Sequence, residues 1–153
     1  HPRPDVAVYL VQKEVAERMA APPGDKTYGA LSVNLQAVTT VDLVRKVPPG
    51  AFMPPPAVDS AVVRVRPRAE PVIEAALERR YRSFVLSAFG LRRKQLVRVV
   101  RTVAALDAER AAAVVAACGL SPDVRPETLS PESFAALVRA LAEIAPPAGT
   151  ASA

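Results

Sequence analysis

Apolar and polar positions follow two different rhythms along the chain, and the rhythm changes near Pro67. Before that point the periods are short. Val6 to Val11 is a continuous apolar run, too short for a helix and suited to a strand buried on both faces. Lys13 to Ala21 has helical composition and stops at Pro22-Pro23-Gly24. A second helix is expected from about Gly29 to Thr39. Val41 to Val47 mixes apolar and charged positions as a half-buried strand does, and Pro48-Pro49-Gly50 breaks it. A stiff, proline-rich loop follows from Phe52 to Pro56. Ser60 to Arg66 alternates, with Ala61, Val63 and Val65 on one face and Arg64 and Arg66 on the other.

Beyond Pro67 the spacing is helical. Ile73, Leu77, Tyr81, Phe84, Val85 and Ala88 share one face of a helix expected over Val72 to Phe89, and Gly90 marks its end or a break. Arg93 to Ala105 and Ala108 to Cys118 give two further helices, the second ended by Gly119. Ser130-Pro131-Glu132-Ser133 opens the last one: Ser130 suits the N-cap, Pro131 the first helical position, and Ser133 the place of a capping-box acid. The fold class is therefore α/β, the second half of an open, Rossmann-like sheet over residues 1–67 followed by a small all-helical domain over 68–145. A Pro/Ala/Gly/Ser tail, 146–153, has the composition of a disordered segment.

Composition narrows the chemistry. Half of the 153 residues are hydrophobic, enough for a real core, yet no apolar run is long enough to cross a bilayer. A single cysteine, Cys118, excludes an internal disulfide, fits a reducing compartment such as the cytoplasm, and lies in an Ala/Val run where a small core residue is expected. One His and one Cys cannot build an ordinary zinc site. The opening His1-Pro2-Arg3-Pro4-Asp5 has neither an initiator Met nor a signal pattern, as expected of a piece of a longer chain. Nothing fixes the oligomeric state, and a monomer is expected.

The net charge of +5 is unevenly placed. Arginines crowd the stretch from Arg64 to Arg101, against only Glu70, Glu74 and Glu78. Arg64, Arg66, Arg92, Arg93, Lys94, Arg98 and Arg101 are the candidate contacts to a phosphate backbone, since planar guanidinium forks grip phosphates. A solvated helix face is the competing reading. Were a helix to begin at Arg93, the cations of Arg92-Arg93-Lys94 would oppose its dipole, a local cost that bound phosphates relieve.

Three segments carry a resemblance. The first is Val11-Gln12-Lys13-Glu14-Val15-Ala16-Glu17-Arg18 with Tyr28-Gly29-Ala30-Leu31-Ser32-Val33 and Gln36. The second is Phe52-Met53-Pro54-Pro55-Pro56-Ala57-Val58-Asp59-Ser60-Ala61-Val62-Val63. The third is Phe89-Gly90-Leu91-Arg92-Arg93-Lys94 with Arg125-Pro126-Glu127-Thr128-Leu129-Ser130 and Phe134. In order and spacing they resemble the small-subunit ribosomal RNA adenine N6,N6-dimethyltransferases, over nearly the whole chain. The family's pattern often has a basic residue at Ala57, a Gln at Leu91 and an Arg-Asn pair at Val97-Arg98, so the detailed RNA contacts differ here.

The resemblance implies methyl transfer from S-adenosylmethionine to two adjacent adenines near the 3′ end of small-subunit rRNA, with immature small subunits as partner and a role in ribosome biogenesis. It also implies Phe52 stacked on the target adenine. The residues alone leave open whether Phe52 stacks on a base or anchors its loop in the core. The donor's glycine-rich turn, its partner acid and an Asn-Leu-Pro-Tyr-like motif are not found in this sequence. The chain by itself is therefore expected to bind no donor, to hold no catalytic residue, and to be inactive. Asp59-Ser60 suits a turn or cap before a strand, and a catalytic pair lacks a base. Gln12-Lys13-Glu14 follows a strand directly, at the end where open α/β sheets place ligands, or else merely opens a helix. The alternatives are a macrolide-resistance-type methyltransferase of large-subunit rRNA and a non-catalytic RNA-binding or ribosome-assembly module. A basic helical DNA binder would need neither the half-sheet nor the Phe52 loop.

Overall fold

The computed structural model describes residues 4–144, and the expectation for the 146–153 tail lies outside them. Two compact units divide between Val72 and Ile73. The first contains β1 (Ala7–Gln12), α1 (Lys13–Ala20), α2 (Ala30–Gln36), β2 (Thr39–Val47) and β3 (Ser60–Pro67). The second contains α3 (Glu78–Gly90), α4 (Leu96–Ala104), α5 (Ala108–Ala117) and α6 (Pro131–Ile144). Among the described residues no helix is long and apolar enough to cross a membrane.

The sheet has the order β1-β3-β2, with β3 antiparallel to both neighbours. The last strand made is thus the central one, and its alternation has its expected consequence. Ala61, Val63 and Val65 are buried against Ala16 and Met19 of α1, with Val11, Val15, Leu35 and Val41 packed around them. Helix α1 is tied to α2 by side chains of the latter. Gln36 Nε2 donates to the carbonyls of Met19 and Ala21, at 3.0 and 2.8 Å, satisfying the open carbonyl end of α1. Buried Ser32 donates to the Arg18 carbonyl and accepts the Gly29 N–H.

Two strand expectations need correction. The β1 run is not buried on both faces: Val8, Tyr9 and Leu10 are 61, 51 and 53 % exposed. β1 is an edge strand with β3 as its one neighbour among the described residues, so composition reported apolarity, not cover. β2 is also an edge. A bulge between Leu43 and Arg45 shifts the register and leaves Val44 exposed, so its alternation is lost after Asp42. α2 ends at Gln36, short of Thr39, whose hydroxyl donates to the Leu35 carbonyl as the chain enters β2.

In the helical unit the apolar periodicity locates the core, and the helix starts are revised. The expected Val72–Phe89 helix begins only at Glu78, after a 3₁₀ turn at Ala75–Leu77. Ile73 is buried all the same, from the segment ahead of that turn. Tyr81, Phe84, Val85 and Ala88 of α3 face inward, and Phe134 of α6 lies between Phe84 and Phe89, ring centroids 6.3 and 5.9 Å away. α4 starts at Leu96, not Arg93, because Gln95 is extended (ψ 148°) and Leu96 is fully buried. Cys118 is half-buried at the end of α5, where desolvation raises its thiol pKa. Ser130 does accept the Ser133 N–H at 3.1 Å, as an N-cap should.

Candidate functional site

β1 passes directly into α1 at Gln12–Lys13, and the chain returns to that point just before β3. The Lys13 N–H donates to the Asp59 carbonyl at 2.9 Å, and Gln12 is in register with Ser60. This backbone bond ties Asp59 to the start of α1 across the sheet, where the sequence suggested a local turn or cap. It also brings residues 57–59 against the start of α1. Between them opens a cavity of about 400 Å³ lined by Gln12, Lys13, Glu14, Glu17, Pro49, Ala57, Val58 and Asp59. It lies at the carboxyl end of β1, the edge where open α/β sheets present ligands.

Charges within it are partly matched. Lys13 Nζ lies 3.6 Å from Glu17, and Glu14 takes Arg18 at 2.6 Å, both one helical turn apart. Gln12 occupies the N-cap position of α1, yet its side chain makes no capping hydrogen bond. The sequence singled out Gln12-Lys13-Glu14 and Asp59 separately. Pro49, Ala57, Val58 and Glu17 as walls of one cavity were missed, since nothing local joins residues 12–17 to 49–59.

Phe52 follows a 3₁₀ turn, Pro49–Ala51, and its N–H donates to the Pro49 carbonyl at 3.1 Å. It is half-buried, not one of the core residues of its unit, and three residues on from the cavity wall at Pro49. The next peptide, Met53–Pro54, is cis, and Met53 is 95 % exposed.

The expected basic residues separate into two kinds. Arg64 and Arg66 share one carboxylate: Asp42 Oδ2 takes Arg64 Nη2 at 3.0 Å and Arg66 Nη1 at 3.4 Å. The antiparallel register sets Asp42 opposite Arg64, which the sequence reading did not anticipate. Arg92, Arg93 and Lys94 are exposed in the turn between α3 and α4, and Arg98 and Arg101 are exposed on α4. Among the described residues no carboxylate pairs with these five. The turn is closed by Lys94 N–H to the Leu91 carbonyl at 2.8 Å. It is held from the far side by Leu96 N–H to the Val124 carbonyl and by Gln95 Nε2 to Asp123. The three cations thus precede the α4 N-terminus, instead of forming its first turn as expected. No acid lies in the first turn of α4 to offset them.

A methyl donor, implied by the resemblance, needs close backbone approach at a glycine-rich turn. Here a Cβ added at Gly24, Gly29, Gly50, Gly90 or Gly119 would meet nothing within 4 Å, and the β1–α1 junction has no glycine. These residues do not fit a donor nucleoside. Among the described residues no group of His, Cys, Asp and Glu is placed to hold a metal ion.

Comparison with known proteins gives the class. The model of the family described as ribosomal RNA adenine dimethylase matches residues 1–143. Curated relatives include the ribosomal RNA small subunit methyltransferase A of Anaeromyxobacter dehalogenans, 47 % identical over 88 % of this chain and 47 % of its own length. That of Gloeobacter violaceus is 44 % identical over 94 % of this chain and 52 % of its own. Among solved structures, a dimethyladenosine transferase from Plasmodium falciparum superposes with a TM-score of 0.76 at 24 % identity, over 87 % of this chain and 55 % of that one. The 23S rRNA methyltransferase ErmE gives 0.63 at 27 %, over 90 % and 55 %. The fold is that of these methyltransferases, and the chain belongs to the ribosomal RNA adenine dimethylase family. It spans about half the length of the curated relatives it matches.

Proposed function

We propose that this chain is the carboxyl-terminal part of an enzyme that transfers methyl groups from S-adenosylmethionine to the N6 atoms of two adjacent adenines near the 3′ end of small-subunit rRNA. It acts in the cytoplasm on the immature small subunit, during ribosome biogenesis. The donor is held by residues outside those described here, and this chain alone is inactive. An adenine amine is a weak nucleophile, its lone pair delocalised into the ring, so the base must be extruded and clamped before transfer. Phe52 supplies the clamp by stacking on the extruded ring. Arg92, Arg93, Lys94, Arg98 and Arg101 grip the surrounding phosphates, Arg64 and Arg66 more weakly. The observation that carries this reading is the placement of Phe52. It is a half-buried ring, outside the core, on a proline-rich loop that also lines the cavity at the carboxyl end of β1.

The test is a Phe52 series in the intact enzyme. Stacking on an aromatic is worth about 1–3 kcal/mol per base, so Phe52→Ala should lower methyl-transfer efficiency roughly tenfold to a hundredfold. Phe52→Tyr, which keeps a π-face, should retain most of it. A loop anchor behaves differently: melting temperature falls with activity, and Phe52→Leu outperforms Phe52→Tyr. That outcome refutes the stacking role.

A further inference from the structure

The Phe52 clamp accounts for one base, yet the neighbouring cavity is a separate, built space with unused hydrogen-bonding groups. Its walls at Pro49, Ala57 and Val58 are apolar surfaces of the kind a base plane packs against. Two of its polar groups, Gln12 and Asp59, are exposed, and among the described residues nothing bonds to either side chain.

Charge narrows the ligand. The cavity holds Glu14, Glu17 and Asp59 against the single ammonium of Lys13. Lys13 lies beside Glu17, and Glu14 is taken by Arg18, which leaves the Asp59 carboxylate unmatched among the described residues. Such a site repels a phosphate. The acids do not converge on a metal position among the described residues either. What it favours is a neutral planar group with hydrogen-bond donors. A glutamine amide offers a donor and an acceptor side by side and pairs in two-pronged fashion with adenine, while a carboxylate accepts from an exocyclic amine.

We propose that this cavity is a subsite for a second, unpaired nucleobase with an exocyclic amine, flanking the adenine to be methylated. Gln12 and Asp59 are its hydrogen-bonding groups. The proposal rests on the reaction proposed above and adds to it a determinant of RNA sequence. The Lys13–Asp59 backbone bond positions both groups by fixing the 57–59 segment against the start of α1.

The experiment uses the intact enzyme and small subunits reconstituted with rRNA in which each unpaired purine flanking the pair of target adenines, neither of them a methyl acceptor, is replaced in turn by purine riboside, which lacks the amine. At one flanking position the replacement should lower kcat/KM roughly tenfold to a hundredfold, mostly through KM. Gln12→Ala should lose a similar factor on normal rRNA and become insensitive to that replacement. Asp59→Asn, which keeps the shape and removes the charge, should show a smaller loss of the same kind. Both variants should melt as the parent does, since both side chains are exposed. Transfer that is indifferent to every flanking amine overturns the subsite alone. So do losses from Gln12→Ala and from the purine riboside that multiply as independent effects. Absence of any methyl transfer to rRNA overturns the reaction and the subsite together.

Discussion

The division of the basic residues into paired and unpaired sets leads to a quantitative expectation for salt dependence. Each phosphate contact made by a cation releases counterions and adds about 0.9 to the slope of log K against log salt for a duplex, or about 0.7 for a single strand. Arg92, Arg93 and Lys94 are exposed and, among the described residues, meet no acid. Replacing all three by Ala should therefore flatten the slope by roughly 2 to 3 units. Between 50 and 200 mM salt, a fourfold change, the parent would lose roughly 20- to 40-fold more affinity than the variant. Arg64→Ala with Arg66→Ala should flatten it by well under two units, because both guanidinium groups already face the Asp42 carboxylate. Asp42→Ala, which releases them, should steepen it. Titrating rRNA fragments into the intact protein across that salt range, by anisotropy, gives all four slopes. Equal slopes for the parent and the triple variant would refute the assignment. A large effect from Arg64 and Arg66, unchanged by Asp42→Ala, would refute the argument from pairing.

Two further expectations concern stability. Gly119 has φ +68°, so Gly119→Ala should cost about 1 kcal/mol although its Cβ would meet open space; Gly29→Ala, with equal space and extended backbone, should cost less, and chemical denaturation compares them. Arg139 donates to both oxygens of Glu74, at 2.8 and 3.1 Å, and holds that carboxyl below its usual range. A carboxyl with a lowered folded pKa stabilises above its unfolded value and loses that contribution as pH falls through the folded one. Glu74→Gln should thus be less stable than the parent at pH 7, by at most about 1 kcal/mol for so exposed a pair, and equal to it at pH 2.

Periodicity made much of this fold legible. The alternation of β3 pointed to its buried face, and the i, i+3, i+4 spacing found the inward face of α3. Local chemistry fixed the Ser130 cap and the Gly119 stop. Where the reading failed, the deciding partner lay far away in sequence. Val8, Tyr9 and Leu10 are apolar whether or not anything covers them. Asp42's hold on Arg64 and Arg66 depends on a register that no local signal states. The α4 start depends on Leu96 entering the core and on Val124 accepting its N–H. The cavity joins two segments more than thirty residues apart through one backbone bond. Phe52, by contrast, was conspicuous in sequence as the ring on a proline-rich loop.

The strand order also has a consequence for synthesis. β1 and β2 do not pair with each other, and each is held in the sheet by β3, which emerges last of the three. The partner of Ala7 is Val65, so the β1–β3 ladder cannot form until nearly the whole of this unit has been made. At about 5–20 residues per second, that ladder waits several seconds during synthesis. Chaperone capture in that interval should fall once Ser60–Pro67 has left the ribosome and both of its neighbours can pair.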